Sequence, residues 1–235
     1  MELTTITELL LNRHASPWRQ VGTVSIYKFR LSIEPGQHQA LRSILTPDEL
    51  TRVDRFVTDE LRRRALASRA ATRLLLAQST GIGPQSIEFR VGDHGKPFLA
   101  SPDRPHFNLS HSRDLALLAI SQSDEVGIDV EWRDDRPDFE AIAEHCFADS
   151  ERLAMRVLPP SKLRELFYEF WCCKEAYLKA VGTGISGGLK RCEVHRMEGD
   201  LAAIVNPTDP KESSRWRIHI LDPEPEYAGA ICLRC

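Results

Sequence analysis

Two long helical segments, each followed by a run of short strands, constrain this chain more than any other feature of its sequence. The first reads from about Asp59 to Gln78 and is stopped by Gly81, Gly83 and Pro84; the second reads from about Lys162 to Val181 and is stopped by Gly182 and Gly184. Strand patterns lie near 23–31, 87–91, 97–99, 106–109, 115–121 and 126–132, and again near 193–197, 201–205, 215–221 and 228–233. Thr46-Pro47-Asp48-Glu49 is a helix start, with a capping threonine, a first-turn proline and a glutamate three residues after the cap. Shorter helices are predicted near Phe139–Cys146 and Ser150–Val157. Strands and helices do not alternate one by one, which favours an α+β fold over a doubly wound parallel sheet.

The 235 residues suffice for one large domain or two small ones, and 42% hydrophobic with 28% charged residues is the balance of a globular chain. A net charge of −3, with acids interspersed among the arginines of the early helices, argues against a nucleic-acid binder. No apolar run approaches the ~20 residues of a membrane helix, and the N-terminus lacks a basic leader, so no membrane partner and a cytoplasmic location are expected. The six cysteines all fall in the second half. Cys172 and Cys173 sit in an apolar helical run and read as buried thiols, while Cys232 and Cys235 form a C-x-x-C pair with no second pair to complete a zinc site. Neither a phosphate-loop nor a dinucleotide glycine pattern follows a strand.

Three constellations carry potential chemistry. In Val126–Trp132, strand alternation sends Val126, Ile128, Val130 and Trp132 one way and Asp129 and Glu131 the other. Two like charges on one strand face repel, and either solvent or a hard cation such as Mg²⁺ relieves that repulsion. In the second long helix, Trp171, Glu175 and Lys179 fall one turn apart, as a plain Glu–Lys surface pair or as a carboxylate beside a phosphate-binding lysine. Phe107-Asn108-Leu109-Ser110-His111-Ser112, expected to join two strands, is either a turn held by Ser and Asn or a source of donors to phosphate. Ser110 and His111 are neighbours on a strand-like segment, so they are badly placed as nucleophile and base for each other, and no nucleophile elbow is present.

The order of these segments, with Gly95-Lys96-Pro97 ahead of them and Trp171-Cys172-Cys173-Lys174-Glu175-Ala176-Tyr177-Leu178-Lys179-Ala180-Val181-Gly182-Thr183-Gly184 behind, resembles the Sfp-type (surfactin-synthetase-activating) 4'-phosphopantetheinyl transferases. The likeness runs from about Arg52 to Gly184. It implies two similar α+β lobes related by a pseudo-twofold axis, each a small, mainly antiparallel sheet with packed helices, here residues 21–126 and 127–235 after an N-terminal arm, 1–20. It also implies Mg²⁺-dependent transfer of the phosphopantetheine arm of coenzyme A to a serine of an apo acyl or peptidyl carrier protein, by a monomer, with release of adenosine 3',5'-bisphosphate. By motif position, Asp129, Glu131 and Glu175 would hold Mg²⁺. Ser110, His111 and Lys179 would contact phosphate, with Glu175, Lys179 and His111 the catalytic set. Arg52, Arg64, Arg73 and Lys96 would contact the nucleotide. The family's lysine pair near the 3'-phosphate is not reproduced, since Glu49 and Arg52 stand there. A Mg²⁺-dependent nucleotide pyrophosphate hydrolase and a non-catalytic coenzyme A or carrier-binding module are the alternatives, separated by whether turnover requires the carrier.

Overall fold

Capping and alternation set most of the element boundaries in the computed structural model, which describes residues 16–100, 105–135, 138–184 and 188–235. The first lobe comprises β1 (Arg19–Val21), β2 (Val24–Arg30), α1 (His38–Arg42), α2 (Pro47–Asp54), α3 (Asp59–Thr80), β3 (Phe89–Val91), β4 (Pro97–Leu99), β5 (His106–Ser112) and β6 (Leu115–Ser121). The second comprises β7 (Val126–Trp132), α4 (Phe139–Cys146), α5 (Asp149–Arg156), α6 (Pro160–Val181), β8 (Glu193–Arg196), β9 (Leu201–Val205), α7 (Pro210–Ser213), β10 (Trp216–Leu221) and β11 (Tyr227–Arg234). Thr46 and Thr58 cap α2 and α3, and Gly81 and Gly182, at φ 71° and 79°, end the two 22-residue helices in the left-handed conformation that glycine adopts without strain.

Each long helix packs on its own antiparallel sheet, ordered β1-β2-β6-β5 in the first lobe and β7-β11-β10-β9-β8 in the second. Phe29, Leu66, Leu74, Phe107 and Leu118 belong to the first core; Phe147, Phe167, Cys172, Cys173 and Ile218 belong to the second. A third apolar layer joins the lobes, with Ile26, Leu115 and Leu117 against Ile128, Val130, Tyr227 and Ile231. Val126, Ile128 and Val130 face that layer, so the alternate residues Gly127, Asp129 and Glu131 face α6.

At Gly127 the strand meets the helix backbone. A Cβ there would lie 2.1 Å from the Ala176 carbonyl oxygen and 2.3 Å from the Ala180 nitrogen. Glycine on the strand and alanines on the helix therefore set how closely β7 and α6 approach.

The chain departs from the sequence-based expectations in three places. Arg19 and Gln20, assigned to the N-terminal arm, pair with β2, and Arg19 makes an ion pair with Asp200 of the second lobe; residues 1–15 of the expected arm lie outside the described residues. The strand expected over 106–109 continues through Ser110, His111 and Ser112, read as part of a connection, because all three also pair with β6. Helices α1 and α7, of five and four residues, were too short to show a period. Among the described residues no helix is long and apolar enough to cross a membrane.

Gly127→Ala should lower unfolding stability by about 3 kcal/mol or more, since strand and helix backbones must separate to admit the methyl group. A urea unfolding curve beside the parent checks this, and an unchanged midpoint would contradict the close-contact reading.

Candidate active site

The face of β7 that meets α6 brings the acidic residues together. Asp129 is buried, Glu175 on α6 nearly so, and Glu131 half-buried at the strand end. A solvated strand face is thereby excluded. Asp129 Oδ1 accepts from Ser110 Oγ at 2.9 Å and from Lys179 Nζ at 2.5 Å, and Glu131 Oε2 accepts from Ser112 Oγ at 2.7 Å. Asp129 Oδ2 and Glu175 Oε1 are buried with no hydrogen-bond partner. Such orphaned carboxylate oxygens are costly in a folded protein unless a ligand takes them up.

The three carboxylates act on one another. Burial, and then the charge of Asp129, push Glu131 up to about 7, with Ser112 and Lys179 pulling the other way. Burial and Asp129 likewise raise Glu175, against the pull of Lys179. Burial opposes the Lys179 charge, but Asp129 and Glu175 outweigh it and hold its pKa above the usual lysine value. Lys179 is thus favoured as a cation among acidic groups. It pairs with Asp129 across to β7, so the plain surface-pair reading of Glu175 and Lys179 does not hold. Among the described residues no three His, Cys, Asp or Glu side chains close into a ready metal cage. The donor set is nonetheless all oxygen with two oxygens open, which suits a hard cation that takes its remaining ligands from phosphate and water.

On the first lobe, β5 presents His111 beside these groups. Burial and then the charges of Lys179 and Arg64 lower its pKa, which places both cations near the imidazole. Arg64 also pairs with Glu60 at 2.6 Å. A pocket of about 420 Å³ opens from His111 along the helices, lined by Phe56, Phe89 and Phe107, with Arg52 and Arg69 at its wall.

Three residues expected to contact the ligand are otherwise engaged. Arg73 is buried in the first core; its Nε donates to Glu49 Oε2 at 2.7 Å and its Nη1 to the carbonyls of Pro84 and Ile87 at 2.5 and 3.1 Å. Lys96, which lines a separate cavity of about 570 Å³, donates from Nζ to Glu125 at 2.7 Å and to the carbonyls of Val126 and Ala180, both at 3.1 Å. The Ser110 proton is directed to Asp129, and its oxygen accepts from Lys179 at 3.1 Å. Each of these polar groups has partners within the protein. Conversely, Arg69, grouped in the sequence with the ordinary helix arginines, reaches the pocket and makes no ion pair among the described residues. The alternation in β5 marks Asn108, Ser110 and Ser112 as one face, the signal by which Ser112 could have been found.

Residues 125–232 match the 4'-phosphopantetheinyl transferase superfamily model, and residues 33–123 match the model of a 4'-phosphopantetheinyl transferase N-terminal region. The 4'-phosphopantetheinyl transferase HetI of Nostoc is 32% identical over 216 residues, covering 89% of this chain and 87% of its own. The chain belongs to the 4'-phosphopantetheinyl transferase family. A 4'-phosphopantetheinyl transferase of Bacillus subtilis is 28% identical, covering 85% of this chain and 87% of its own. A holo-(acyl-carrier-protein) synthase of Bacillus anthracis, solved in complex with CoA (3',5'-ADP), is 26% identical with a TM-score of 0.40, over 47% of this chain and 94% of that one. The protein is an enzyme, a 4'-phosphopantetheinyl transferase that acts on carrier proteins.

One motif residue of this transferase has a purely structural place. Lys174, one residue before Glu175, is fully buried, pairs with buried Glu151 at 2.7 Å and donates to the carbonyls of Leu189 and Cys192. Glu151 also accepts the backbone N–H groups of Ala148 and Val194, both at 2.7 Å. Lys174→Met should cost about 3–5 kcal/mol, because Glu151 is left buried without its cation, whereas a double variant with Glu151→Leu should recover most of the loss. Denaturant unfolding of the two variants measures both values.

Proposed function

We propose that the transferase uses coenzyme A and Mg²⁺, and that a carrier serine attacks the β-phosphorus with departure of adenosine 3',5'-bisphosphate. The observation that carries this reading is the pair of open buried oxygens, Asp129 Oδ2 and Glu175 Oε1, beside the Lys179 and His111 cluster. Asp129, Glu131 and Glu175 would hold the cation. When bound, it supplies positive charge to the pyrophosphate and stabilises the charge growing on the leaving group.

The residues of the chain supply the rest. Lys179, held charged by Asp129, donates to the pyrophosphate oxygens as the bond to the leaving group lengthens. His111 and Arg64 bind phosphate on the first-lobe side. Glu175, with its raised pKa, accepts the serine proton as the new phosphorus–oxygen bond forms. The aromatic-walled pocket takes the nucleoside, and Arg52 with Arg69 faces its 3'-phosphate.

The test is incubation with coenzyme A, Mg²⁺ and an apo carrier protein, read as mass gain on the carrier. Gain that is lost with a chelator and restored by Mg²⁺ is expected. Release of adenosine 3',5'-bisphosphate at full rate without carrier would instead make the protein a hydrolase. Asp129→Ala should lower transfer by about 100-fold or more, as for loss of a group that stabilises transition-state charge. Near-parental transfer with an unchanged Mg²⁺ requirement would overturn the metal assignment. Arg69→Met should raise KM for coenzyme A about tenfold and leave KM for its 3'-dephospho form nearly unchanged, the loss expected for a charge-assisted hydrogen bond. Equal changes for both would remove Arg69 from the 3'-phosphate site.

A further inference from the structure

The two sheets meet edge to edge, and the seam between them is made by side chains. Strand β5 ends the first sheet and β7 ends the second. The backbone N–H of Ile128 donates to Asn108 Oδ1 at 2.8 Å, that of Val130 to Ser110 Oγ at 3.4 Å, and that of Trp132 to Ser112 Oγ at 3.0 Å. Alternate side-chain oxygens of one strand thus stand where a neighbouring strand would offer carbonyl oxygens, and buried N–H groups that would otherwise lack acceptors are satisfied.

Two of the three rungs do more than join the lobes. Ser110 and Ser112 each give their single proton to the carboxylate one residue before the N–H they accept, Asp129 and Glu131 respectively. Gly127 holds the corresponding place beside the Asn108 rung and has no carboxylate. Asp129 is also fixed by Lys179, but Glu131 makes no ion pair among the described residues, and Ser112 is the donor that orients it. With its proton on Glu131 and its oxygen on the Trp132 N–H, Ser112 has no donor left for substrate.

We infer that Ser112 is a positioning residue for the transfer reaction: its hydroxyl holds the Glu131 carboxylate in place for the cation and makes that placement depend on the contact between the lobes. The inference rests on the proposed role of Glu131 as a metal-holding carboxylate. A partner of this kind typically governs metal affinity by about tenfold or more without touching the metal.

The test is Mn²⁺ binding to the full chain in the presence of coenzyme A, followed by electron paramagnetic resonance, beside melting curves. Ser112→Ala should raise the Mn²⁺ dissociation constant about tenfold, and Ser112→Thr, which keeps a hydroxyl, should restore it. Asn108→Ala breaks a rung that carries no carboxylate. It should lower the melting temperature as Ser112→Ala does, yet leave the Mn²⁺ constant within about twofold of the parent, as expected of a site that does not couple to the metal. Parental Mn²⁺ affinity in Ser112→Ala, or an equal loss in Asn108→Ala, would make the seam a structural joint only and overturn the inference. Parental affinity in Glu131→Gln would overturn the metal role of Glu131 itself, a separate failure.

Discussion

The approach of β7 to α6 at Gly127 is the contact on which the rest of the structure depends. Strand alternation places Gly127, Asp129 and Glu131 on the face that meets the helix, and the glycine is the member that touches helix backbone. Ala176 and Ala180 take the contact from the other side, and each directly follows a charged residue of the site, Glu175 or Lys179. Small residues at the crossing therefore bring the charged ones within reach of each other. A side chain at position 127 would hold the two elements apart and separate Asp129 from Lys179.

That proximity is electrostatically costly. Three carboxylates lie close together at partly buried positions, and burial and the charge of Asp129 raise the pKa of two of them, Glu131 to about 7 and Glu175 above the usual value. Lys179 offsets part of the repulsion without closing the site, since oxygens of Asp129 and Glu175 remain open. The second lobe contains an instructive contrast in Lys174, one residue from Glu175 on α6, and its ion-pair partner Glu151 on α5, whose remaining hydrogen bonds are filled by backbone. The charges there are satisfied by protein groups, whereas Asp129 Oδ2 and Glu175 Oε1 have no hydrogen-bond partner.

The first lobe contributes in two ways. One face of β5 supplies the oxygens that join the sheets and orient Asp129 and Glu131, and the other, with Phe107, Leu109 and His111, lines the pocket. A single seven-residue strand thus links the aromatic-walled pocket to the acidic centre. Arg73 and Glu49, buried together beneath the pocket, remove a negative charge from a wall that would otherwise oppose a phosphate.

The sequence by itself determined the α+β class, the two long helices with their glycine stops, and the pairing of Asp129 with Glu131 on one face, because capping and alternation are local rules. It also carried the motif order that marks the family. It could not assign Arg73, Lys96 or Ser110 between ligand and scaffold, since a cation or a hydroxyl reads the same whether its partner is a phosphate or a carboxylate from a distant element. The continuation of that strand through residues 110–112 was hidden for a related reason, as Asn and Ser favour turns unless their side chains find partners elsewhere. Those partners are the N–H groups of β7, some twenty residues away. Only the tertiary structure decided which polar groups were satisfied within the protein and which were left open, because hydrogen-bond satisfaction depends on what the fold brings near.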